Sequence, residues 1–156
     1  MVFPEKIGLA LKFVAKRLSH ENIKWILVGS AGLCLQGIDI KPNDLDILTD
    51  KNGAYEMGRL FKEFEIQPVK YSESDKFASH IGKFNIKNIS VEVMGGLKIK
   101  HKSKWKNDFV RCSKDMFFIA YEGIKIPVSS LKIQAENYRM LGRWAKAKKI
   151  EILLNQ

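Results

Sequence analysis

The run Asp44-Leu45-Asp46-Ile47-Leu48-Thr49 sets two carboxylates two residues apart in an otherwise apolar stretch. Side chains alternate along a strand, so Asp44 and Asp46 share one face while Leu45 and Ile47 share the other. Their Cα atoms then lie about 6.5 to 7 Å apart. Like charges at that distance repel, and aspartate is disfavoured in strands. Divalent cations bridging the carboxylates and phosphate oxygens would reverse that cost, since such a pair can activate an attacking oxygen and neutralise a leaving pyrophosphate. Mg2+ suits the place because it takes a few carboxylates and completes its octahedron with water and phosphate; Mn2+ is the substitute. The plain alternative for an isolated D-x-D is a pair of solvated aspartates at a strand end.

Upstream, the apolar run Lys24 to Val28 ends on Gly29-Ser30. A strand that turns through glycine into a helix aims free backbone N–H groups at whatever lies in front, and these favour a phosphate. Ser30 can donate its hydroxyl to the same anion. It is also expected to cap a short helix running to about Gln36 and stopped by Gly37, and an ordinary capped turn is the alternative reading.

Taken together, V-G-S, a gap of thirteen residues from Ala31 to Asn43, and D-L-D-I make a far more specific pattern than either half. The pattern resembles that of the DNA polymerase β superfamily, and most closely its small stand-alone bacterial and archaeal nucleotidyltransferases. The resemblance implies that Gly29 and Ser30 hold nucleotide phosphates, that Asp44 and Asp46 bind two Mg2+ ions, and that a third carboxylate on a later strand completes the site. Glu92 fits that place: in I-S-V-E-V-M it lies on the face opposite Ile89, Val91 and Val93. Glutamate stands where aspartate is usual, which changes reach and not chemistry. The implied reaction moves a nucleoside monophosphate from a triphosphate such as ATP to an acceptor hydroxyl or phosphate, with Glu92 ligating the metal near the acceptor and helping to remove the acceptor's proton.

These residues need elements to hold them. Phe3 to Leu18 is expected as a helix, with Ile7, Ala10, Leu11, Val14 and Leu18 on its core face. Lys24 to Val28 and Asp44 to Thr49 are expected strands, and Asp50 the N-cap of a helix reaching about Phe64. I-Q-P-V-K-Y, A-S-H-I-G-K-F-N-I and I-S-V-E-V-M are further strands, the last two joined through Lys87-Asn88. Lys98 to Asp108, with its five lysines, is expected as a loop or irregular edge. M-F-F-I-A-Y and I-K-I-P-V form a late hairpin with Pro127 at an edge. Ser129 or Ser130 caps a helical region over about 129–156, broken at Gly142 before a last helix from about Arg143 to Leu154. The expected fold is an α+β nucleotidyltransferase fold, a mixed sheet covered by helices, in one domain spanning 1–156.

Composition sets the outer bounds. A chain of 156 residues that is 46% hydrophobic can build one core. Cys34 and Cys112 match no metal-ligand spacing and suit a reducing cytoplasm. No apolar stretch approaches the roughly 20 residues of a membrane span, and the charged first turns argue against a signal peptide. The formal charge of +10 favours polyanionic partners, although lysines scattered along the chain equally describe a solvated surface.

Other candidates carry weaker signals. His80 beside Gly82 could reach a nucleotide but is more often structural. Trp25 belongs with the core, Trp105 is the better exposed aromatic, and Trp144 the third. Arg143, Lys146, Lys148 and Lys149 could face a triphosphate or RNA, against the simpler reading of a solvated helix face. The acceptor, whether small molecule, RNA or protein, is not written in these residues. Two other functions compete with the enzyme: a nucleotidyltransferase-like partner of a toxin or RNase, and a basic RNA-binding domain in which the acidic pair is incidental.

Overall fold

A computed structural model describes residues 2–156. Helix α1, Glu5–Leu18, follows Pro4 at its N-cap and carries Glu5 in its first turn with Lys16 and Arg17 in its last, charges that complement the helix dipole. Its expected apolar face, Ile7, Ala10, Leu11, Val14 and Leu18, is buried throughout. Strand β1, Trp25–Val28, leads into α2, Gly29–Leu35, and the chain returns through β2, Leu45–Thr49. Helix α3, Lys51–Leu60, opens on Asp50, whose carboxylate accepts a 2.6 Å hydrogen bond from the Gly53 amide, as expected of an N-cap. It stops short of Phe64; Lys62–Phe64 is a separate 3₁₀ turn.

Three long strands follow: β3, Glu65–Glu73; β4, Phe77–Ile86; and β5, Ile89–His101. Lys87 and Asn88 both adopt positive φ, the conformation that a two-residue hairpin turn demands. The stretch expected as a loop, Lys98 to Asp108, is instead a hairpin. β5 continues to His101, turns at Lys102-Ser103, and returns as β6, Lys104–Asn107. The period-2 signal was there, with Leu97 and Ile99 buried and Lys98 and Lys100 exposed, but the lysine density concealed it. Helix α4, Asp108–Lys114, was not foreseen; it starts on the Asn107 side chain, which accepts from the Val110 amide. β7, Met116–Tyr121, and β8, Ile124–Ser129, form the expected hairpin. Helix α5, Leu131–Met140, is capped by Ser130, and α6, Trp144–Leu154, follows a break at Gly142.

The strands make one mixed sheet in the order β3-β4-β5-β2-β1-β8-β7, with β6 added to β5. β2 runs parallel to β5 and β1 to β8; the remaining pairs are antiparallel. Pro127 is therefore on an inner strand and not at an edge. Its lost N–H is tolerated because the β1–β8 pairing is short, registering at Leu27 with Val128 just past the proline. One sheet face carries α1 and α3 over the largest core cluster, which includes Leu45, Ile47, Val91 and Val93. The other face packs Ile26, Leu48, Leu97 and Ile99 against Phe109, Ile133 and Leu141 of the later helices. No helix among the described residues is long and apolar enough to cross a membrane.

Candidate active site

Strand parity decides which side chains meet. Leu45 and Ile47 enter the core beneath α1, so Asp46 between them is turned to the opposite face. On that face β1 places Val28 beside Asp46, and β5 places Glu92 beside it on the other flank. Asp46 is thus the centre of a three-strand array: the end of β1, itself, then Glu92. Gly29 follows with φ +68°, and a Cβ there would collide with the Asp46 carboxylate. Glycine is required twice over, by the left-handed backbone and by the close approach.

Ser30 does not cap α2. The helix begins at Gly29 with Val28 as its N-cap, which makes no side-chain cap hydrogen bond, so Ser30 lies inside the first turn. The glycine's positive φ turns the chain one residue earlier than a serine cap would. Asp44 also departs from expectation, lying one residue before β2 on an exposed bend. It does not line the cavity that Asp46 and Glu92 face, yet its charge reaches both of them.

That cavity has a volume of about 470 Å³ and is lined at one end by Val28, Gly29, Ser30, Asp46 and Glu92. Burial, then the negative charges of Asp44 and Glu92, push the Asp46 carboxyl up to about 7, while Lys146 and Arg143 act in the opposite sense. Burial also raises the Glu92 carboxyl; Lys83, with its Nζ 3.8 Å from Glu92, holds it down, and Asp44 adds to the rise. This end of the cavity gathers negative charge that the chain only partly offsets.

Among the described residues no three His, Cys, Asp or Glu side chains are close enough to enclose a metal ion unaided. The donor chemistry nevertheless fits Mg2+, a hard cation that binds through one or two carboxylates and takes its remaining ligands from water and substrate phosphate. Asp46, raised by burial and then by its neighbours' charge, is the group such a cation would relieve.

Sequence reading passed over the wall opposite. Gln134, Asn137 and Tyr138 recur at helical spacing along α5 and line the cavity with Leu141 at its C-cap, as do Arg143 at the N-cap of α6 and Lys146 in its first turn. Of the four basic residues that could face a triphosphate, Arg143 and Lys146 face the carboxylates, whereas Lys148 is exposed and Lys149 donates to the Asp39 carbonyl. Gln134 is only 4% exposed, and its Nε2 has no hydrogen-bond partner within the chain. Polar residues at the core-facing positions of an amphipathic helix were the available signal.

Asp108, also on the cavity wall, receives a 2.6 Å hydrogen bond from Asn137 Nδ2 and has Arg111 Nη1 at 3.5 Å. Arg111 in turn donates to Asn137 Oδ1 at 2.6 Å and pairs with Glu136. Burial raises the Asp108 carboxyl, while these donors pull it back.

The remaining candidates have other employment. His80 Nδ1 is 2.8 Å from the Tyr55 hydroxyl, and its ring lies against Tyr71 outside the cavity. Trp25 packs partly buried against the main core. Trp105 is 39% exposed on β6 beneath the Lys100 ammonium, and Trp144 is 65% exposed; neither lines the cavity.

With this geometry in hand, comparison with known proteins gives a consistent result. A family model described as aminoglycoside-2″-adenylyltransferase matches residues 10–152. A crystal structure from Thermotoga maritima, provisionally described as a nucleotidyltransferase, superposes with a TM-score of 0.86 at 35% identity, covering 99% of this chain and 96% of that one. ANT(2″)-Ia in complex with adenylyl-2″-tobramycin superposes at TM-score 0.56 and 9% identity, covering 94% and 93%. Lincosamide antibiotic adenylyltransferase LnuA with lincomycin bound gives 0.54 at 14% identity, covering 95% and 98%. The last two establish likeness of fold alone. No curated protein matches by sequence. The chain belongs to the aminoglycoside-2″-adenylyltransferase family, within the nucleotidyltransferases that the spacing of its glycine, serine and aspartates had indicated.

Proposed function

We propose that the protein transfers a nucleoside monophosphate from a Mg2+-bound triphosphate to a hydroxyl on an acceptor, with ATP as the donor that the family description suggests. The observation that carries this reading is Asp46: partly buried, with the like charges of Glu92 beside it and Asp44 just before it, and pressed against a glycine turn with room for a phosphate. When bound, Mg2+ would neutralise the triphosphate and the developing pyrophosphate charge.

The residues divide the work by position. Asp44 and Asp46 hold the cation. The Gly29-Ser30 turn donates N–H and hydroxyl hydrogen bonds to the phosphates, and Arg143 and Lys146 face them from the opposite wall. Glu92, beside Asp46 and further along the sheet, meets the acceptor and takes its proton. As the acceptor oxygen bonds to the α-phosphorus, the bond from that phosphorus to the α,β-bridging oxygen breaks, and pyrophosphate leaves with the electron pair.

Asp44→Ala combined with Asp46→Ala tests this assignment. Mg2+-dependent nucleotide binding, followed by calorimetry, should vanish while circular dichroism shows an intact fold. Unchanged binding and unchanged labelling from α-labelled ATP would refute it.

A further inference from the structure

The cavity does not end at the nucleotide site. Along β5, Glu92 and Met94 face it; then Gly96, with φ +61°, and a shift of register between Ala78 and His80 on β4 insert one extra residue. That bulge reverses the strand's parity and brings Leu97 to the same cavity. On β4, Phe77, Ser79 and Ile81 face it at every second position. From Lys83, which opposes Glu92, to Phe77 is six residues, about 20 Å of strand. The far half of the cavity is therefore a trough along β4 and β5 that begins where Glu92 meets the acceptor.

Its chemistry is uneven in charge. Among the described residues the carboxyl groups lining the whole cavity are Asp46, Glu92 and Asp108. Asp46 and Glu92 belong to the nucleotide end, and Asp108 is already engaged by Asn137 and Arg111. Glu73, next to Ser72 of the wall, is absent from the lining; its carboxylate accepts from the Tyr71 hydroxyl. The β3–β5 side of the trough is otherwise apolar surface, chiefly from Phe77, Ile81, Met94 and Leu97, with neutral serines. An ammonium group buried there would lose its hydration without gaining an anion, whereas a neutral hydroxylated molecule would lose little and find donors and acceptors.

Resting on the transfer reading above, we propose that the acceptor is an uncharged molecule with an apolar body and at least one hydroxyl, seated in the β4–β5 trough, and not a polycationic aminoglycoside of the kind the family description suggests. The bulge at Gly96 and the serines on the β4 side are the specificity determinants. They supply an apolar floor and neutral hydrogen bonds where a polycation would require carboxylates.

A matched pair of probes tests the charge preference. Para-nitrophenyl β-glucoside and its glucosamine counterpart differ by one ammonium, and tobramycin supplies the polycation. Each is titrated calorimetrically into the full chain loaded with Mg2+ and α,β-methylene-ATP. The neutral glucoside should bind at least about tenfold more tightly than the ammonium form. Met94→Asp should erase or invert that preference, while Met94→Asn, which adds polarity without charge, should retain it. Equal or tighter binding of the ammonium form or of tobramycin to the unaltered chain would overturn the proposal. So would binding of neither glucoside, or a preference untouched by Met94→Asp in a folded protein. Failure to bind the nucleotide analogue counts separately, against the transfer reading, since the glucoside isotherms are recorded on the free chain as well.

Discussion

Asp46 and Asp108 line one cavity, and the chain around them treats the two carboxylates, the first partly buried and the second buried, in opposite ways. Asp108 is surrounded by donors: the Asn137 amide at 2.6 Å, the Arg111 guanidinium at 3.5 Å and the Cys112 thiol at 3.8 Å. Its burial cost is met within the protein, and the Asp108–Arg111–Asn137–Glu136 network ties α4 to α5. Asp46 is flanked by Asp44 and Glu92 instead, with Lys146 and Arg143 acting more weakly on it. A folded chain that needs a carboxylate for structure supplies its partners. One that leaves a carboxylate among like charges keeps it for a partner from outside.

Replacing Asp46 with asparagine should break the contrast most visibly. Nucleotidyl transfer, followed by pyrophosphate release, should fall by about a thousandfold or more, roughly 4 kcal/mol of transition-state stabilisation. Activity within about tenfold of the unaltered chain would mean that Asp46 is not the cation's ligand. At Asp108 the same logic predicts a stability effect first. Asp108→Ala leaves the partly buried Arg111 with Glu136 and Asn137 as its partners and should cost about 2 kcal/mol in urea denaturation. Loss of less than about 0.5 kcal/mol would show the network to be ornamental.

The pH dependence sharpens the comparison further. The Asp46 carboxyl lies near 7 in the folded chain, above its ordinary value of 3.8. Between those values the unfolded chain has released this proton and the folded chain still holds it. Metal-free stability should therefore be full below about pH 4, decline as pH rises to about 7, and level off above it. A shift of that size corresponds to up to about 4 kcal/mol, and water reaching an open cavity reduces the expected loss to about 2 kcal/mol. Asp108 and Glu92 are raised too, so the Asp46 share is the difference between the unaltered chain and Asp46→Asn measured across pH 4 to 8. Asp46→Asn should be the more stable of the two at pH 8 without metal, and Mg2+ with nucleotide should abolish its advantage. A less stable Asp46→Asn at pH 8 would contradict the account.

How much of this was legible beforehand follows from where each signal resides. Gly29, Asp46 and Glu92 could be read because strand parity is local, and three strands in register turn that parity into a cluster. Asp44 could be read only as a type of residue; whether it stood inside β2 depended on where the strand began, and it stands just before it. Gln134, Asn137 and Tyr138 showed only as polar residues on a core-facing helix stripe; nothing local says that α5 packs over this face of the sheet, so they could not be placed in the site. The β5–β6 hairpin was hidden for a different reason: its lysines face solvent on a strand added to the sheet beside β5, where composition imitates a loop. Pro127 was misplaced because the neighbour that makes its strand an inner one, β1, comes from a distant part of the chain.

The smallest effect separates the two carboxylates at their edges. Lys146 and Arg143 act on Asp46 across the cavity, and Lys146 is only partly exposed. If their role were to neutralise Asp46 as Arg111 neutralises Asp108, removing Lys146 would destabilise the metal-free chain at pH 8. If they face a triphosphate, the loss should appear in substrate affinity. Lys146→Ala is expected to raise KM for ATP by about three- to tenfold, with kcat changed less than KM and the unfolding midpoint unchanged. Raising salt should weaken the unaltered chain's affinity toward that of the variant, because the contact is between charges at a solvent-accessible rim. A fall in stability with KM unmoved would place Lys146 with Arg111, as a counter-charge within the fold, and remove the cationic wall from the nucleotide site.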